Sequence, residues 1–125
     1  DAEVLKKIPP ERMEQILKEL GLAFERVDQN GVTAFDFLLA AYPVRLFTDG
    51  SDLQMFAIYE QKPDARKIND WNRTRRFSRA FLNEEGNACL DCDLAYRGGT
   101  TPGAVKDFIL VFRQSVEEFF SFLKQ

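Results

Sequence analysis

Residues 22–60 read LAFERVDQNGVTAFDFLLAAYPVRLFTDGSDLQMFAIYE. Phe, Val, Tyr and Leu are dense here, and two polar runs cut the stretch: Asn30-Gly31, then Thr48-Asp49-Gly50-Ser51-Asp52. Aromatic and β-branched residues fit a pleated, half-buried surface. Turns that match the twist of paired strands need positive φ, which Asn and Gly accept at little cost. The pattern predicts an antiparallel meander with strands near residues 23–29, 32–38, 43–48 and 53–60. A bend or bulge is expected at 40–43, because Pro43 cannot donate to a central ladder.

Outward from this meander the periodicity turns helical. Over residues 9–20, Met13, Ile16, Leu17 and Leu20 repeat at helical spacing, prolines occupy the first turn and Gly21 stands where a C-terminal cap belongs. Leu5 and Ile8 extend the same apolar seam. After Lys62-Pro63, Asp64 predicts an N-cap for a helix over 65–74, with Ile68 and Trp71 on one side. A second hairpin is expected from 77–82 and 88–94, turning at Gly86. Thr101 then caps, and Pro102 opens, a helix running to about residue 124.

That last helix carries Val105, Phe108, Ile109, Phe112, Val116, Phe119, Phe120 and Leu123 on one broad stripe, with Leu110, Val111 and Phe122 outside it. A helix on one sheet face needs an apolar arc of about 100° or slightly more. The extra width is read as a wide core face in preference to a subunit contact. The resulting order is α-ββββ-α-ββ-α, an α+β fold with an antiparallel sheet of five or six strands and three helices gathered mainly on one face. A chain of 125 residues suits a single domain, 1–125, able to bury a core without metals or disulfides.

The formal charge of −3 argues against a general nucleic-acid or anionic-membrane binder. Locally the balance reverses, since residues 62–79 hold seven basic and two acidic side chains, for +5, against 10 basic and 18 acidic elsewhere, for −8. Such a dipolar molecule attracts an acidic protein or peptide, or another copy of itself. No apolar run is long enough to span a bilayer, and the first residues contain no signal-peptide core, so the reading is of a soluble chain. The sequence begins at Asp1 rather than at methionine, which leaves open the cytoplasm and, after removal of an export signal, the periplasm.

Cys89-Leu90-Asp91-Cys92 has the C-x-x-C spacing of redox and zinc sites. On a strand, residues three apart face opposite ways, and the chain has no histidine to complete a tetrahedral site. Cys92 is therefore read as a core side chain alternating with Ala88, Leu90 and Leu94, with Cys89 on the other face, and no metal or cofactor is expected. The lack of histidine also removes every Ser-His or Cys-His nucleophile. Asp91 and Asp93 stand about 7 Å apart on one strand face, a spacing that resembles an acid/base pair but is ordinary on the polar side of a strand. If Leu82 pairs with Ala88, Arg79 falls opposite Asp91, as a cross-strand ion pair. No catalytic residue is assigned.

Arg97-Gly98-Gly99-Thr100-Thr101-Pro102, before a helix, has the makings of an anion site but lacks any nucleotide fingerprint, and reads first as a turn and a cap. Trp71 is expected to pack at the helix–sheet junction and to find a partner for its N–H. The candidate binding residues are Trp71, Arg73, Arg75, Arg76, Arg79 and Arg97, a basic and aromatic edge suited to carboxylates or phosphates.

The segment INDWNRTRRFSRAFLNEEGNACLDCDLAYRGGTTPGAVKDFILVFRQSVEEF, residues 68–119, resembles the C-terminal half of the bacterial YbjN-like family. In that family an I-N-x-W-N helix leads into R-F-x-R-A-[YF], a G-[ND] turn, a D-L strand end and a G-G-x-T start to the next helix. YPVRLFTDGSDLQMFAIYE, residues 42–60, resembles the family's central hairpin. Many relatives carry a cysteine pair around that hairpin's turn, where this chain has residues 48–52, so a disulfide there is absent. The resemblance implies a fold like that of type III secretion chaperones, which commonly form homodimers, and the label of sensory transduction regulator. The function expected is a non-enzymatic, homodimeric protein-interaction module, regulatory or chaperone-like. Its dimer or partner contact would lie on the last helix or on the outer sheet face bearing Phe77 and Phe81. The alternative is anion or nucleic-acid binding through residues 62–79.

Overall fold

A computed structural model of the chain describes residues 3–125. In chain order it contains α1 (Pro10–Glu19), β1 (Phe24–Gln29), β2 (Val32–Leu39), β3 (Tyr42–Thr48), β4 (Asp52–Ile58), α2 (Ala65–Thr74), β5 (Arg79–Leu82), β6 (Ala88–Ala95) and α3 (Pro102–Leu123). The six strands form one antiparallel sheet in the order β1-β2-β3-β4-β6-β5. The expected α+β order stands, and the second hairpin joins the meander through β6.

Local chemistry fixes the element ends. At the close of α1, Gly21 takes φ 74°, its N–H bonds to the Lys18 carbonyl and that of Leu22 to the Leu17 carbonyl, which satisfies the last turn. The Asp64 carboxylate accepts from the Lys67 N–H at 2.9 Å, and the Thr101 hydroxyl from the Ala104 N–H at 3.0 Å. Asn30 and Gly31 supply the paired positive φ angles, 54° and 77°, of the β1–β2 turn.

Between β2 and β3 the expected bend is instead a two-residue turn, with Ala40 and Ala41 at φ 51° and 64°. Pro43 lies within β3, opposite Leu38. In a two-residue hairpin the closing pair, here Leu39 and Tyr42, exchanges hydrogen bonds, so the nitrogen of Pro43 faces β4. The β3–β4 ladder stops at Arg45–Phe56, before that nitrogen would have to donate, and the Tyr42 hydroxyl donates to the Ile58 carbonyl at 2.8 Å. The strand expected from residue 77 begins at Arg79, because Phe77 takes φ 73°, a left-handed conformation that breaks the ladder.

The core lies between the inner sheet face and the helices. Phe35, Leu46, Met55 and Leu90 of the sheet are buried together with Ile109, Phe112, Val116 and Phe119 of α3 and with Met13, Ile16 and Leu17 of α1. Of the residues outside the α3 stripe, Phe122 packs on this core and Val111 is half-buried, and Phe108 and Phe120 of the stripe pack on the core as well. Phe120 lies near Tyr42 and Tyr59, and Phe122 lies 5.5 Å from Trp71. Leu110 alone among the large apolar residues of α3 is exposed.

Candidate functional site

At the α2–β5 corner the basic segment is largely tied to its own chain. Trp71 is wholly buried, its ring 4.9 Å from Phe119 in an edge-on contact. Its Nε1 has no hydrogen-bond partner among the described residues, contrary to the expectation for a buried indole. The Arg75 guanidinium lies 5.0 Å over the Trp71 ring and 4.0 Å from the Glu118 carboxylate. Arg73 reaches Asp70 at 3.4 Å, and Arg76 covers the exposed Phe77 ring at 5.0 Å. Arg97 stands apart, six residues beyond Asp91 along β6 and its following loop, or about 20 Å by strand rise. The structure therefore sets Arg73, Arg75 and Arg76 at or just past the end of α2 with Arg75 over Trp71, places Arg79 on the outer side of β5 opposite Asp91, and leaves Arg97 beyond the end of β6.

Asn72, on α2, has a task the sequence reading did not foresee. Its carboxamide accepts from the Ala80 N–H at 2.9 Å and donates to the Ala80 carbonyl at 3.0 Å. The side chain thus stands in for a neighbouring strand at the free edge of β5, the kind of edge that otherwise invites pairing with another chain. Asn72→Ala is expected to lower stability by about 1–3 kcal/mol, the range for stranding backbone groups that lose a partner. Urea denaturation checks this, and an unchanged midpoint would mean the edge needs no cover.

The expected register holds, with Leu82 opposite Ala88 and Arg79 opposite Asp91. Asp91 is only 2% exposed, and both of its oxygens are engaged. Oδ1 accepts from Arg79 Nε at 3.1 Å, while Oδ2 accepts from Arg79 Nη2 at 2.7 Å and from Gln54 Nε2 at 3.2 Å. Asp93 is exposed, and its pKa is raised by partial burial and by the neighbouring Asp91 charge. A carboxylate held this firmly by a guanidinium is an acceptor in a framework. Cys89 is buried on the outer side, and burial pushes the Cys92 thiol up to about 12 on the inner side, so neither sulfur is a ready thiolate. Among the described residues no cluster of three or more Cys, Asp or Glu could hold a metal, and no helix is long and apolar enough to cross a membrane.

The outer face of the sheet is the larger feature. The helices pack on the inner face, and the outward row from β5 to β2 is Phe81, Cys89, Ile58, Pro43 and Leu38, apolar throughout. Leu38 is 58% and Ile58 48% exposed. With Pro43, Phe47 and Phe56 they line a shallow groove of about 700 Å³. In the adjoining row Arg45 makes a bidentate pair with Asp36, at 2.6 and 2.8 Å, which holds the Asp36 carboxyl below the usual carboxylate range. The sequence reading named this face only through Phe77 and Phe81. A stronger signal lay in AFDFLL (34–39) and MFAI (55–58), runs with apolar residues at both parities, the mark of a strand with two apolar faces.

Comparison with known proteins agrees with this architecture. A family model named YbjN, described as "Putative bacterial sensory transduction regulator", matches residues 9–125. No curated protein matches the chain. Among solved structures the chain is similar to YbjN from E. coli, described as "a putative transcription regulator", with a TM-score of 0.68 and 17% identity over 97% of this chain and 92% of that one. At that identity the likeness is one of fold. The family match takes in every helix and strand from α1 to α3, and this chain belongs to the YbjN family.

Proposed function

We propose that the chain is a non-enzymatic regulatory module that acts by binding protein through the open face of its sheet. The observation that carries this reading is the apolar row crossing the sheet on the side that no helix covers. Contiguous apolar surface of this kind marks interaction sites in proteins of this size. Such a face receives apolar segments of other proteins, which is chaperone-like in kind. The two arginine–aspartate pairs set into it are already satisfied, so a partner can cover them without stranding a charge.

Binding of an anion or nucleic acid through residues 62–79 has less support, because Arg73, Arg75 and Arg79 each face a carboxylate of their own chain. Capture from a bacterial extract, with the wild-type chain and a Leu38→Glu, Ile58→Glu variant side by side, tests the proposal. Proteins retained by the wild type and lost with the variant are the expected result. Identical sets, or none, would overturn it.

A further inference from the structure

We infer that the element seated on the open sheet face is a basic amphipathic helix of another protein, with its apolar stripe over Ile58, Phe56 and Phe47 and with lysine or arginine at the end that overlies Asp52 and Asp93. The inference rests on the reading of this face as a protein-binding surface and names the chemistry of the partner.

The face has a direction. The groove between Leu38 and Ile58 reaches Phe47, where a second hollow of about 400 Å³ takes over and ends at Asp52 and Asp93. From Ile58 to Asp52 this track follows six residues of β4, or about 20 Å. It is apolar at one end and acidic at the other. The ion pairs on this face are Arg45 with Asp36 and Arg79 with Asp91, which leaves Glu25, Asp52 and Asp93 without a cation among the described residues. Partial burial and the charges of Asp91 and Asp52 raise the Asp93 carboxyl, as happens where positive charge is lacking. The uncompensated charge is thus negative throughout, and the acidic partner expected from the basic run at 62–79 finds no free cation here.

Backbone chemistry selects the partner's conformation. A sheet face offers side chains only, because the N–H and C=O groups of its strands are spent on one another. An extended segment laid across it would bury backbone groups that have no partner, whereas a helix satisfies its own. The inner face is already covered in this way by α1 and α3. A track of about 20 Å takes about 13 residues of helix, nearly four turns.

A peptide of about 14 residues, held helical by side-chain lactam bridges on its outer side, with a leucine stripe and lysines at one end, tests this by fluorescence anisotropy against the whole chain. Binding is expected. It should weaken at least about 10-fold when glutamates replace the lysines, since like charges then meet. Asp52→Asn with Asp93→Asn should weaken the lysine peptide about 5-fold, the worth of two exposed ion pairs, and leave a glutamine version of the peptide unmoved. An unbridged copy with a central proline should bind at least about 10-fold less tightly. An unchanged near-ultraviolet signal from Trp71 reports that the variant is folded. Should the double variant unfold, Asp93→Asn alone serves, with a loss of about 2-fold. No binding of the lysine peptide, equal binding of the glutamate or proline peptide, or indifference to the Asp52 and Asp93 substitutions would each overturn the inference. If one of these occurs while extract proteins are still retained by the wild type and lost with Leu38→Glu, Ile58→Glu, the basic helix falls and the function proposed above stands.

Discussion

Trp71→Ala is expected to destabilise the fold by about 3–5 kcal/mol, the range for truncating a large aromatic side chain in a packed core. The ring is wholly buried where α2, α3 and β5 converge, against Phe119 and Phe122, with the Arg75 guanidinium laid over it. Helices and sheet are fixed on several sides, so the site cannot collapse to fill the gap. The indole N–H has no partner among the described residues, so no protein acceptor offsets its removal from bulk water. Trp71→Phe therefore loses some packing but sheds an unsatisfied donor, whose burial costs about 1–3 kcal/mol, and should sit much closer to wild type. Urea melts of the two variants check the pair. A negligible loss for alanine, or phenylalanine as damaging as alanine, would contradict this account of the corner.

The second large effect is an asymmetry. Arg79→Ala is expected to cost about 2–3 kcal/mol, while Asp91→Asn costs about 1 kcal/mol, although the two residues form one ion pair. The Asp91 side chain is 3% exposed and that of Arg79 is 66% exposed. Removing the arginine leaves a carboxylate in the sheet with Gln54 as its remaining side-chain donor. Removing the carboxylate's charge leaves a guanidinium that water reaches readily. The upper end expected for a broken buried pair is discounted here because water replaces part of what Arg79 gave. Adding Asp91→Ala to Arg79→Ala should recover stability, since the stranded charge goes with it. Equal costs for the two single substitutions would show that Asp91 is better solvated than its burial indicates.

Most of the fold was legible because its signals are local. The caps at Asp64 and Thr101, the glycine that ends α1 and the Asn30-Gly31 turn each act within four residues. The Arg79–Asp91 pairing was legible for the same reason, since a short hairpin fixes its own register. What escaped was settled by distant neighbours or backbone strain. Pro43 sits in a strand because the ladder that would need an N–H at that position ends beside it. Phe77 leaves the strand because its φ is 73°, a conformation that no sequence rule assigns to phenylalanine.

The site was less legible than the fold. The charge run at 62–79 drew attention as a free basic edge, yet it is answered by Asp70, Asp91 and Glu118, of which only Asp91 was named as a partner from the sequence. Arg97 joined the candidates through the loop chemistry around it, and the length of β6 carries it away from the rest. The groove went unnamed because which side of each strand meets the helices depends on the placement of α1 and α3. Leu38, Phe56 and Ile58 read as core residues until that placement is known.

The central claim is that the uncovered sheet face is where this protein makes its contacts. Methyl NMR with a soluble paramagnetic agent, followed as a bacterial extract is added to the labelled chain, tests it most directly. The account predicts that the Leu38 and Ile58 methyl groups are reached by the agent in the chain alone and become shielded as the extract is added, while Leu110 on α3 stays accessible throughout. Shielding of Leu110 with Leu38 and Ile58 still open would contradict it.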